Sequence, residues 1–166
     1  MSIQPPPDTP FSPDCWAEVR ARNQVVPYRR SGAGRAVLLL HSSGDADALW
    51  PELMDVLRAG FRLIIPAPPP AEVGREAWLA VLLDGLGMSN VAVIATDDFA
   101  SAAVDRALGE PDQVAQVVLV CCADDAPDMA TRFALPLLVL RRDRPAAEIL
   151  PLILAFLAPF SAARGA

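Results

Sequence analysis

Five short apolar runs divide this chain and restrict what it can fold into. They cover residues 36–40, 61–65, 91–95, 116–121 and 135–140. Runs of this length, rich in Val, Leu and Ile, are typical of strands buried on both faces of a parallel sheet. Because helix-length segments separate them, strand and helix alternate from residue 36 onward. The pattern predicts an α/β fold with a doubly wound, mostly parallel sheet of about six strands.

The remaining segments complete this prediction. The spacing of Trp50, Leu53, Met54 and Leu57 favours a helix over 49–59. Further helices are predicted over 75–86, 98–108 and 146–157. Residues 24–30 are expected to form the sixth strand, which Pro27 would confine to an edge, and 15–22 a turn or two of helix. Five prolines make residues 1–14 an irregular arm, which leaves 15–166 as a single domain.

Charge and composition exclude several functions. The 166 residues carry a net charge of −6, and the basic side chains are all arginine, so no lysine chemistry is available. Scattered arginines on an acidic chain argue against a nucleic-acid partner. No apolar run reaches the ~18–20 residues of a membrane span. The absence of a signal peptide and of paired cysteine spacing predicts a cytoplasmic protein, with no metal site and no cofactor.

The stretch SNVAVIATDDFASAA, at residues 89–103, is the strongest candidate for a functional site. Its apolar run ends at a polar corner, Thr96-Asp97-Asp98, and small residues that favour a helix follow. A strand, a tight corner and a helix is the arrangement in which α/β hydrolases expose their nucleophile. Asp97 is therefore a candidate nucleophile. As carboxylates at a helix start, however, Asp97 and Asp98 are expected to form a solvated N-cap pair, and we favour this interpretation.

Several stretches resemble the α/β-hydrolase family. AVLLLHSSGDADALWPELMDVLRAGFRLIIPAPP looks like the first half of such an enzyme, and WLAVLLDGLGMSNVAVIATDDFASAAVDRAL like its helix, strand and nucleophile elbow. LPLLVLRRDRP is similar to the strand that ends in the family's acidic residue. The resemblance spans roughly residues 24–160. It implies a truncated α/β-hydrolase-like fold without a cap domain, since only a loop of about a dozen residues stands where a cap usually lies.

The resemblance assigns roles to particular residues. An ungapped match puts Asp97 at the nucleophile, with Ala95 and Phe99 where the family has glycines; a shift by one instead puts Asp98 between Thr96 and Ala100. His41 and Ser42 fall on the oxyanion loop. The resemblance implies that they line a ligand cleft together with the backbone N–H of Asp98. Asp143 matches the catalytic acid.

Three functional hypotheses follow. Branches similar to haloalkane dehalogenases and epoxide hydrolases use an aspartate nucleophile, but the resemblance reaches no segment that would supply their catalytic histidine. The first hypothesis is therefore a hydrolase relative that has lost catalysis and acts as a binding or assembly subunit. The alternative is a small active hydrolase using Asp97 and Asp143. The third hypothesis is a small-molecule binder that uses an open cleft expected above Asp97.

Other polar groups have structural as well as functional interpretations. Asp143 stands among Arg141, Arg142 and Arg144, which predicts an ion-paired loop carboxylate. Cys121 and Cys122 end a strand and are either reactive thiols or small core residues. Asp124 and Asp125 would bind a cation only together with Asp97 or Asp98, and otherwise form a solvated acidic loop.

The C-terminal region predicts an interface. If the strand at 135–140 lies at the sheet edge, its apolar length needs a cover. The following helix, AEILPLILAFLAPF, is apolar nearly all round. We therefore expect a homo- or hetero-oligomer that forms through the strand and helix at 135–160.

Overall fold

A computed structural model describes residues 15–41, 49–121 and 136–162 of the chain. Within these ranges it contains seven strands and four helices. In chain order they are β1 (Cys15–Ala21), β2 (Gln24–Ser31), β3 (Arg35–Leu40), α1 (Leu49–Leu57), β4 (Phe61–Pro66), α2 (Arg75–Leu86), β5 (Val91–Thr96), α3 (Asp97–Gly109), β6 (Val114–Cys121), β7 (Leu137–Arg141) and α4 (Ala146–Ala162).

The strands form one sheet in the order β1-β2-β4-β3-β5-β6-β7. The five strands from β3 to β7 pair in parallel, as the apolar runs predict. β1 and β2 are antiparallel to their neighbours. The observed sheet thus confirms the predicted α/β class and has one strand more than the six expected.

Helices cover both faces of the sheet, which produces two separate apolar cores. α2 and α3 pack on one face, where Trp78, Leu82 and Phe99 are buried. α1 and α4 pack on the other, where Trp50, Leu53 and Ile153 are buried. This doubly wound arrangement explains why β5 is buried along its whole length. No helix in the described ranges is long and apolar enough to cross a membrane.

The segment at 15–22 forms a strand, and the prediction of a short helix there is wrong. β1 pairs along its full length with β2, from Cys15 opposite Arg30 to Ala21 opposite Gln24. The two connecting residues, Arg22 and Asn23, have φ values of 48° and 62°. Two consecutive left-handed residues are typical of a type I′ turn, whose twist matches that of the flanking strands. The turn therefore fixes a β-hairpin.

β2 lies inside the sheet, between β1 and β4, so the prediction that Pro27 confines it to an edge is also wrong. The ladder between β2 and β4 covers only Tyr28–Ser31, so the missing N–H of Pro27 interrupts none of its bonds. The Pro27 carbonyl accepts a hydrogen bond from the Ala67 N–H at 2.8 Å. The proline thus lies where one strand pairing ends, a position that requires no donor from it.

The hairpin also packs against α2 through a helical glycine. A Cβ atom added to Gly85 would lie 2.5 Å from Cγ2 of Val19 and 3.1 Å from Cβ of Ala21. Since both residues belong to β1, only a residue without a side chain allows helix and strand to approach this closely.

Candidate functional site

The carboxyl ends of the parallel strands meet at one edge of the sheet and bring the candidate residues to the same side of the molecule. The pairing register sets Leu40 beside Ala95, Thr96 beside Val120, and Cys121 beside Arg141. His41 therefore follows the strand next to β5, about 5 Å away. Asp143 follows a strand two places from β5, about 10 Å away.

The predicted elbow is present as a direct junction between strand and helix. β5 ends at Thr96, which is extended with φ −88° and ψ 176°, and α3 begins at the next residue, Asp97. The N-cap position therefore belongs to Thr96. This corrects the prediction that the two aspartates form the cap, because they occupy the first two helical positions. Unpaired N–H groups of the first helical turn favour negative charge there.

Thr96 itself gives no side-chain cap to α3. Its side chain is buried, and its hydroxyl donates a long hydrogen bond of 3.5 Å to the Leu40 carbonyl. The residue therefore links the ends of β3 and β5.

Asp98 is held by an arginine from another helix. Its Oδ2 lies 3.6 Å from Nη2 of Arg75, the first residue of α2, and both side chains are about half exposed. The Arg75 guanidinium carbon also lies 5.3 Å from the ring centroid of Phe99. Arg75 was not among the candidates from sequence, although it stands one helical turn before Trp78 and so shares that face of α2.

Phe99, which the ungapped match sets at a position where the family has a glycine, lies in the first turn of α3. Its side chain is 1% exposed, and its ring centroid lies 5.7 Å from that of Trp78 in a tilted arrangement. The ring fits because it points into the layer between α2 and α3. The position therefore serves as a packing contact between two helices and is covered on the outside by Arg75.

His41 lies directly after β3 and is partly buried. Its ring stacks on Trp50 of α1, with centroids 5.4 Å apart and planes 27° from parallel. The stacking fixes the imidazole against the helix layer. Ser42, the second residue assigned to the oxyanion loop, lies outside the described residues.

Asp143 forms an ion pair within its own turn. Arg141 donates to it twice, from Nε to Oδ1 at 3.0 Å and from Nη2 to Oδ2 at 2.6 Å. These two hydrogen bonds hold the pKa of Asp143 below its ordinary value. The side chain remains 63% exposed, so the pair is largely solvated.

Of the candidate thiols and acidic residues at the end of β6 and just after it, the structure describes only one. Cys121 is buried at the end of β6. Cys122, Asp124 and Asp125 lie outside the described residues. Among the residues that the structure does describe, no three His, Cys, Asp or Glu side chains are grouped so as to hold a metal ion.

Comparison with known proteins identifies the fold. No family model matches the chain, and no curated protein matches its sequence. Solved structures do match. The carboxylesterase CesB from Bacillus subtilis is 20% identical, with a TM-score of 0.56 over 67% of this chain and 44% of CesB. The haloalkane dehalogenase DatA from Agrobacterium tumefaciens is 20% identical, with a TM-score of 0.55 over 73% of this chain and 48% of DatA.

A third match is the meta-cleavage product hydrolase CumD from Pseudomonas fluorescens. It is 21% identical, with a TM-score of 0.54 over 64% of this chain and 45% of CumD. The chain thus spans less than half the length of these three enzymes. Together the matches show that this chain has an α/β-hydrolase fold, as the sequence resemblance implies.

Proposed function

We propose that this chain is an α/β-hydrolase-like protein that has lost hydrolytic catalysis and acts as a binding or assembly subunit. The observation that supports this most directly is the environment of Phe99. A nucleophile elbow has small residues around the nucleophile because the turn is strained. Here a large ring is buried two residues after Asp97, between Trp78 and Arg75.

The residues that match the family's catalytic acid and oxyanion loop support the same proposal. Arg141 engages both carboxylate oxygens of Asp143, so this acid already has a partner in its own turn. His41 stacks on Trp50 and follows a different strand from the one that carries Asp143. A catalytic acid works by orienting a histidine. These two residues interact instead with neighbours of their own.

Covalent labelling tests the loss of catalysis. The protein is incubated with a reactive ester, an epoxide and a haloalkane, and its intact mass and peptides are measured, with an active hydrolase as the control for each reagent. We expect no adduct on Asp97, and we expect Asp97→Asn to change stability alone. A stable adduct on Asp97 would contradict the proposal.

For the assembly role we propose that a second copy of this chain contacts β7 and α4. β7 is an edge strand of the described sheet, and α4 packs beside it. The exposed side of α4 carries Pro151, Leu152 and Ala155, and the helix has no charged residue after Glu148. In a chain of net charge −6, an uncharged face is where two copies repel each other least. Antiparallel pairing of two β7 strands about a two-fold axis would also bring the two α4 helices together.

Solution mass tests this second part. Light scattering coupled to size-exclusion chromatography should give twice the monomer mass of 17.7 kDa. A monomer at micromolar concentration would rule out self-assembly. Native mass spectrometry on the same sample detects a retained small molecule, which would favour the ligand-binding form of the proposal. We also propose a cytoplasmic location, which cell fractionation tests.

The alternative is a small active hydrolase, and one observation favours it. Asp97 directly follows β5 and is the first residue of α3, which is where a nucleophile stands. Its carboxylate would attack a substrate carbon and displace a leaving group such as halide, forming an ester that water then hydrolyses. His41 and the Asp98 N–H would lie near the oxyanion site, and Asp143 would be the acid. The labelling experiment separates the two candidates, since only this one forms an ester on Asp97.

A further inference from the structure

The outer edge of β7 carries backbone groups that no strand of the described sheet pairs with. β7 is the last strand in the sheet order and has β6 as its neighbour there. The N–H of Val117 in β6 donates to the Pro136 carbonyl at 3.0 Å. Because a parallel ladder uses every second residue, the residues that face β6 from this segment are 136, 138 and 140. The N–H and C=O groups of Leu137 and Val139 therefore point away from β6.

The side chains along this edge are apolar on both faces of the sheet. Leu137 and Val139 pack against the core under α2 and α3. Leu138 and Leu140 belong to the core under α1 and α4. The first three of these four residues are only partly buried, and the first charged residue of β7 is Arg141 at its end. An edge of this kind is a template for pairing with another strand.

A second copy of β7 fits this edge best in one register. Antiparallel strands set outward-pointing residues opposite each other, and a two-fold axis through Leu138 sets Leu137 opposite the partner's Val139. Each such pair exchanges two backbone hydrogen bonds. An axis through Val139 would set Leu137 opposite the partner's Arg141, an apolar side chain against a charged one. An axis through Leu137 would set Val139 beyond the end of the partner's β7.

The charges of the two copies stay apart in the register through Leu138. Arg141 is three positions from the axis, so the two copies of this residue lie at opposite ends of the paired segment, about 20 Å apart. Asp143 stays with Arg141, which donates to it at 3.0 and 2.6 Å. Each chain carries a net charge of −6, and like charges placed opposite each other would oppose association. The paired residues from 137 to 139 bring no charge into contact.

We propose that two copies of this chain join their sheets by antiparallel pairing of β7 about a two-fold axis through Leu138. This inference rests on the proposed assembly role and adds the residues that meet. Leu137 of each copy exchanges hydrogen bonds with the partner's Val139, and the two sheets become one continuous sheet. Side chains that are partly buried in one chain become covered in the pair. A dimer formed through α4 alone would not bring these residues together.

Disulfide cross-linking tests the register. Leu138→Cys puts two thiols on the axis, where opposite Cα atoms are about 4.5 Å apart, within the range of a disulfide bond. We expect oxidation with diamide to convert most of this variant into a covalent dimer of twice 17.7 kDa, measured as intact mass. Val139→Cys is the matched control. Its two Cα atoms would be about 9 Å apart, too far for a disulfide bond, so its mass should stay that of one chain.

The wild type sets the background for this experiment, because it contains Cys15, Cys121 and Cys122. A second variant keeps the test decisive if Leu138→Cys fails to fold. The double variant Leu137→Cys/Val139→Cys should cross-link, since the paired Cα atoms are about 5.5 Å apart, whereas Leu137→Cys alone should not.

Light scattering on the unmodified protein separates the two possible failures. A wild-type dimer in which neither Leu138→Cys nor the double variant cross-links would overturn the register and leave the proposed assembly standing. Cross-linking of Val139→Cys to the same extent as Leu138→Cys would also overturn the register. A wild-type monomer would overturn both the register and the assembly.

Discussion

At the scale of single residues, Phe99 shows how the first turn of α3 contributes to the apolar core. Its ring lies between Trp78 of α2 and the guanidinium group of Arg75, and almost none of it reaches solvent. A ring buried in this way contributes through apolar area and through contact with the neighbouring aromatic. We therefore infer that the Phe99 side chain stabilises the fold, at a position where a nucleophile elbow has a small residue.

Replacing Phe99 with Ala should lower the free energy of unfolding by about 3–4 kcal/mol, because it leaves a cavity between α2 and α3. Chemical denaturation measures this change. Leu108→Ala, in the same helix but 51% exposed, is the matched control and should change stability by no more than about 0.5 kcal/mol. Equal effects of the two variants would contradict the packing role.

Asp84 joins three parts of the chain. Its Oδ1 accepts hydrogen bonds from Arg106 of α3 at 2.7 Å and from the Gln113 amide at 2.9 Å, and its Oδ2 lies 3.4 Å from Arg22 in the hairpin turn. The Gln113 hydrogen bond, helped by the charges of Arg106 and Arg22, holds the pKa of Asp84 below its ordinary value of 3.8.

The lowered pKa makes this contribution to stability pH-dependent. A carboxyl with a lower pKa in the folded state stabilises the protein above its unfolded pKa, and it loses that effect as the pH falls through the folded value. Asp84→Asn should therefore be less stable than the wild type at pH 6, by less than about 1 kcal/mol because the site is partly exposed. The difference should shrink below pH ~3.8. Urea denaturation from pH 2.5 to 6 (about the range of carboxyl titration) measures it, and a constant difference would refute the assignment.

At the scale of elements, the contact of β1 with α2 depends on Gly85. Gly85→Ala improves the helix propensity by about 1 kcal/mol, but its Cβ would lie 2.5 Å from the buried Val19 side chain. We expect the clash to dominate and to destabilise the protein by about 1–3 kcal/mol.

Gly109→Ala is the matched control for this prediction. Gly109 is the last residue of α3, and a Cβ added there would meet no atom within 4 Å. This substitution should be neutral or stabilising by up to about 1 kcal/mol. Thermal denaturation compares the two variants, and a stabilising Gly85→Ala would show that β1 does not need the close approach.

Most elements between residues 35 and 141 could be predicted from the sequence, because buried parallel strands give continuous apolar runs. The hairpin could not. β1 has a single buried side chain, Val19, among its residues from Trp16 to Ala21, and its Arg22-Asn23 turn lacks the glycine that usually marks such turns. A proline such as Pro27 is typical of an edge strand, and the local sequence does not show that the ladder between β2 and β4 ends just before it.

The candidate site was predictable only in part for a similar reason. Asp97 follows a recognisable strand, so its place at the start of α3 could be inferred from local sequence. The ion pair between Asp98 and Arg75 could not be inferred in this way. Arg75 lies 23 positions before Asp98 and reaches it only through the packing of α2 on α3. The pairing of Asp143 with Arg141, two residues away, was within reach of the sequence.

At the scale of the whole molecule, self-association through β7 and α4 should depend on the apolar exposed side of α4. Leu152 is 42% exposed on this helix, and Leu152→Glu would place like charges opposite each other across a two-fold interface. We expect light scattering to give the monomer mass for this variant and the dimer mass for the wild type.

Leu108→Glu is the control for the dimer prediction. Leu108 is similarly exposed but belongs to α3, which covers the other face of the sheet. The variant should keep the dimer mass. Monomers with Leu108→Glu, or dimers with Leu152→Glu, would place the interface elsewhere.

The type I′ hairpin has a consequence for the order in which the molecule folds. All contacts between β1 and β2 join residues close in sequence, whereas the parallel pairing of β3 with β4 joins strands that α1 separates in the chain. Hairpins form within about 1–10 μs, and pairings of high contact order take far longer. We expect β1 and β2 to be paired early, so that β2 is a ready template on which β4 and then the rest of the sheet assemble.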